Sequence, residues 1–67
     1  MPTYKFKVTI VGKLIDGNRV EEVLLPEVEA VGSSKARDYA KARCKDQLAR
    51  FEPLGRSIKV ERILGES

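Results

Sequence analysis

The sequence predicts a small α+β domain: one β-β-α-β unit with a three-stranded antiparallel sheet in strand order 2-1-3 and one helix packed on one face. Three observations predict it. Residues 3–14 alternate apolar and polar with period two, Asp16-Gly17-Asn18 supplies a hairpin signal, and residues 35–51 contain no proline, glycine, valine or isoleucine.

Strand one covers about 3–14. Tyr4, Phe6, Val8 and Ile10 fall on one face, with Lys5, Lys7 and Thr9 on the other. Aromatic and β-branched residues suit a half-buried strand, and Gly12 marks a bulge or bend. Asp-Gly-Asn tolerates the positive φ values of a tight hairpin. With Asp16-Gly17 as the loop, Ile10 faces Val23 and Val8 faces Leu25. With Gly17-Asn18 as the loop, Ile10 faces Leu25 instead, and both registers stay open.

Strand two covers about 19–31. Pro26 has no N–H to give a ladder, so this strand is confined to a sheet edge or carries a bulge. Beyond it Val28 and Ala30 alternate with Glu27 and Glu29, and the strand resumes. Gly32-Ser33-Ser34 leads into a helix of about 34–51, either serine being a suitable cap. Ala36, Tyr39, Ala40, Cys44, Leu48 and Phe51 form its apolar stripe, and Glu52-Pro53-Leu54-Gly55 ends it. Ile58, Val60 and Ile63 or Leu64 belong to strand three, about 57–64. Strand one is the most apolar and takes the centre. Pro26 and the charges of strand three suit the edges.

At 67 residues, 42% hydrophobic and 34% charged, the chain is one folded domain, 1–67, with a thin core. Cores of this size supply about 3–5 kcal/mol. No apolar run nears the ~20 residues of a membrane-spanning helix. The N-terminus lacks a signal-peptide pattern and the lone Cys44 has no disulfide partner, so a cytoplasmic location is expected.

Catalysis and metal binding find little to use. Without histidine there is no Ser-His or Cys-His pair, and Cys44 lies on the apolar stripe, where it acts as a small core residue. One cysteine excludes the common zinc sets. Glu21, Glu22, Glu27 and Glu29 lack calcium-loop spacing, and the scattered glycines make no phosphate loop. Neither an enzyme nor a cofactor is expected.

Charge is more informative. The net charge is +3, yet residues 1–31 carry four basic and five acidic groups, while 32–67 carry nine basic and five acidic. Arg37, Lys41 and Lys45 repeat every four residues along the helix, with Arg43 and Arg50 on a second line and Lys35 at the start. Like charges at that spacing cost about 0.2–0.5 kcal/mol per pair. Asp38 is placed to offset Lys35 and Lys41, and Asp46 to offset Arg43 and Arg50. Lys5 and Lys7 add charge on the free sheet face, but Tyr4 and Phe6 share the core phase and leave no stacking platform there. Two functions follow. One is a non-catalytic module whose Lys35, Arg37, Lys41, Arg43, Lys45, Arg50, Lys5 and Lys7 meet RNA or DNA phosphates. The other is a protein-interaction or homodimerisation module working through a sheet edge or the free sheet face, such as an accessory protein of a phage or plasmid.

The segment order, with Glu27-Val28-Glu29-Ala30 entering an alanine-punctuated helix and Arg56-Ser57-Ile58-Lys59-Val60-Glu61-Arg62-Ile63 closing the chain, resembles the archaeal ribosomal protein LX family over roughly 4–64. The resemblance implies a role bound to ribosomal RNA. The family's basic segment between helix and last strand is here Glu52-Pro53-Leu54-Gly55-Arg56, in which only Gly55 and Arg56 answer to it.

Overall fold

The computed structural model describes residues 2–17 and 19–64. Strands β1 (Tyr4–Leu14) and β2 (Val20–Ala30) form the hairpin, helices α1 (Ser33–Arg43) and α2 (Lys45–Ala49) follow, and β3 (Phe51–Arg62) ends the fold. The sheet order is β2-β1-β3 with both pairings antiparallel. The three-stranded α+β architecture is therefore the one expected.

In the hairpin Ile10 faces Val23 and Val8 faces Leu25, which excludes the register pairing Ile10 with Leu25. The Leu14 N–H donates to the Arg19 carbonyl at 2.9 Å beneath the turn. Asn18 lies outside the described residues. Pro26 does both things its chemistry allows. It sits on an edge strand, and the register shifts there so that Lys7 alone stands opposite Pro26 and Glu27. The extra residue flips the phase of β2. Val23 and Leu25 before the bulge and Val28 and Ala30 after it consequently all join the same core.

Beneath the helices, that core gathers Phe6, Val8, Ile10 and Leu14 from β1 with Ala36, Ala40, Cys44, Leu48 and Phe51. Alanines at 36 and 40 let α1 lie close on the sheet. A strict four-residue spacing drifts about 40° per step on an ideal helix. An irregular turn at Cys44 (φ −105°, ψ 30°) takes up part of that drift, and Leu48 stays buried. Hydrogen bonds from Cys44 N–H to the Ala40 carbonyl and from Leu48 N–H to the Cys44 carbonyl, both 2.9 Å, carry the ladder across the break.

Four expectations are corrected. The single helix 34–51 is two helices ending at Ala49. Its cap is Gly32, whose carbonyl accepts the Ala36 N–H at 3.0 Å, and neither serine caps through its side chain. Strand three begins at Phe51 rather than 57 and ends at Arg62, because Glu52-Pro53-Leu54-Gly55 does not stop an element. Those residues form a wide bulge against Lys13, between the pairs Leu14–Phe51 and Gly12–Arg56. Pro53 needs no N–H there. Finally, Tyr39 and Tyr4 are 51% and 37% exposed. Tyr39 lies beside the buried Ala36–Ala40 line rather than on it, and the Arg62 guanidinium covers the Tyr4 ring at 4.0 Å.

Cys44 is buried, at 3% exposure. Its thiol is expected to react with an alkylating reagent far more slowly in the native protein than in denaturant. Equal rates in the two states would contradict its place in the core.

Candidate anion-binding cleft

The bulge of β3 and the outer side of α1 enclose an open depression of about 370 Å³, lined by Arg37, Lys41, Pro53, Arg56, Ser57 and Ile58. Each element contributes for a local reason. Arg37 and Lys41 are one helical turn apart, so both reach the same side of α1. The 52–55 bulge brings Pro53 up as a wall and returns the chain at Arg56. The Arg56 Nη1 donates to the Leu48 carbonyl at 3.0 Å, near the end of α2, where that carbonyl has no i+4 helical donor and also faces the Arg50 N–H. That bond fixes the guanidinium, which carries further N–H donors.

Three cations thus surround one depression whose lining contains no carboxylate. A second depression of about 400 Å³, lined by Lys5, Glu27, Val28, Glu29 and Tyr39, sets one cation against two carboxylates and does not suit an anion.

The eight basic residues expected to meet phosphates do not form one surface. Only Arg37 and Lys41 line the cleft. Lys35, Arg43 and Lys45 are exposed elsewhere on α1 and α2. Arg50 pairs with Glu21 of β2 at 3.6 Å. Lys5 and Lys7 have the phase of the face away from the helices and pair with Glu27 at 3.0 Å and Glu61 at 3.5 Å. On that face Lys59 lies 3.6 Å from Glu61, and Glu22 and Glu29 share the face with Lys13 without pairing with it. Among the described residues, Asp38 and Asp46 make no ion pair with the helix cations they were expected to offset.

Arg56 was missing from that set of eight. Helical spacing could not find it, because it reaches α1 only through the bulge. The one signal was its place in the segment answering to the basic stretch of the ribosomal family.

Among the described residues no cluster of three or more potential metal ligands occurs, and no helix is long and apolar enough to cross a membrane. No protein-family model matches the chain, and no curated protein or solved structure shows significant similarity to it.

Proposed function

We propose that the chain is a cytoplasmic, non-catalytic module that contacts the phosphate backbone of a nucleic acid through the cleft between α1 and β3. One observation carries this: Arg37, Lys41 and Arg56 converge on a single depression with no acidic residue in its lining. The arrangement supports contact with phosphates and offers no aromatic for stacking a base. Weak sequence preference is expected. The ribosomal resemblance makes structured RNA the first ligand to try.

Fluorescence anisotropy with a labelled RNA hairpin and a DNA duplex, at about 50 mM salt and micromolar protein, tests the proposal. Binding should weaken steeply with salt, log K falling by about 0.9 per log unit of salt for each phosphate neutralised. The double variant Arg37→Gln/Lys41→Gln should flatten that slope by roughly two such contacts, and adding Arg56→Gln should flatten it further. Lys5→Gln/Lys7→Gln, on the opposite face, should change it little. Absence of binding at low salt, or equal losses from both sets of variants, would defeat the proposal.

A further inference from the structure

The two edges of the sheet are built differently. On β2 the edge is interrupted by Pro26 and its bulge. The first part of β3 is interrupted by the 52–55 bulge, but Ser57–Arg62 then pairs with β1 without a break. Hydrogen bonding shows which backbone groups of that stretch are free to pair outward. The Ile63 N–H donates to the Lys5 carbonyl at 2.8 Å, so position 63 bonds toward β1. By the alternation of an antiparallel ladder, 57, 59 and 61 do the same, and the N–H and C=O groups of Ile58, Val60 and Arg62 point away from the sheet.

We propose that a second copy of this chain adds to this edge, β3 against β3, antiparallel about a two-fold axis at Val60. Charge selects that register over its two neighbours of like phase. A two-fold axis normal to the sheet keeps the core faces on one side, so only residues of like phase can oppose each other. Centring on Lys59 sets two lysines face to face, and centring on Glu61 sets two glutamates face to face. Centring on Val60 places Lys59 opposite the partner's Glu61, twice by symmetry. Both pairs fall at non-hydrogen-bonded positions, where side chains approach most closely. Val60 pairs with its own copy, Ile58 with Arg62, and roughly six N–H···O bonds form. The Lys59 side chain is 72% exposed, and in the dimer it exchanges its 3.6 Å contact with Glu61 of its own chain for the Glu61 of the second copy. The result is a six-stranded sheet with both pairs of helices on one face.

Ser57 and Ile58 belong to both the dimer edge and the cleft lining, whereas Lys59 and Glu61 do not line the cleft. Sedimentation without nucleic acid reads the dimer and anisotropy reads phosphate binding, so each proposal can fail without the other. Sedimentation velocity of the full chain from about 1 to 200 μM, at about 50 mM salt, should show a concentration-dependent monomer–dimer equilibrium. Lys59→Glu and Glu61→Lys each create two like-charge pairs. Each should weaken the dimer at least about tenfold while circular dichroism stays unchanged. The combined variant Lys59→Glu/Glu61→Lys restores opposite charges across the axis and should recover affinity to within about threefold of the parent. A monomer at every concentration would overturn the proposal. So would a dimer that both single variants leave intact, or a combined variant as weak as the single ones.

Discussion

Phe51→Ala is expected to leave little folded protein at 25 °C. Phe51 is the largest of the fully buried side chains, 2% exposed, and stands at the first position of β3 opposite Leu14. Its ring covers the backbone of β1 at Gly12 and belongs to the same cluster as Leu48, so one side chain closes that end of the core. Truncating a buried phenylalanine costs about 3–5 kcal/mol, from lost transfer energy and the cavity left behind. A domain of this length has about 3–5 kcal/mol in total, and its single cysteine allows no internal disulfide. The two quantities nearly cancel, so urea titration of the variant should lack a native baseline where the parent shows a cooperative transition. Loss of less than about 1 kcal/mol would mean that the ring does not hold the end of the fold.

Phe51 also shows where sequence reasoning stops. β1, the hairpin and the central place of β1 were legible because period-two phase and Asp16-Gly17 are local signals, and Pro26 pointed to the edge and bulge it occupies. Phe51 follows Leu48 at a helical spacing, and Glu52-Pro53-Leu54-Gly55 has the composition of a helix stop. Nothing local distinguishes a last helical residue from the first residue of a bulged strand. The deciding fact is tertiary: the ring has a bare stretch of β1 backbone to cover. The same limit applies to the cleft. Arg37 and Lys41 could be found by counting turns of a helix, but Arg56 joins them only because the bulge returns the chain beside α1. The phase of Lys5 and Lys7 was legible too. Their acidic partners were not, since Glu27 and Glu61 reach them by strand pairing across the sheet.

Gly12→Ala is expected to be the second most damaging small change, against the usual sign for glycine in a strand. Replacing glycine in an unstrained strand interior ordinarily gains about 0.5–1 kcal/mol. At Gly12, however, an added Cβ would fall within the Phe51 ring. The overlap involves several atoms of a ring in the packed core, so the strand or the ring must move. Overpacking of this kind typically costs about 1–3 kcal/mol, enough to remove much of the stability of so small a domain. The two residues should therefore couple. Phe51→Leu withdraws the ring yet keeps an apolar side chain, giving a milder background that still has a measurable transition. In that background Gly12→Ala should cost at least about 1 kcal/mol less than in the parent, because leucine keeps a Cγ but can rotate aside where a rigid ring cannot, while the conformational gain remains. A four-member urea cycle measures this. Strict additivity would show that Gly12 is required for the bend of β1 rather than for the space the ring occupies.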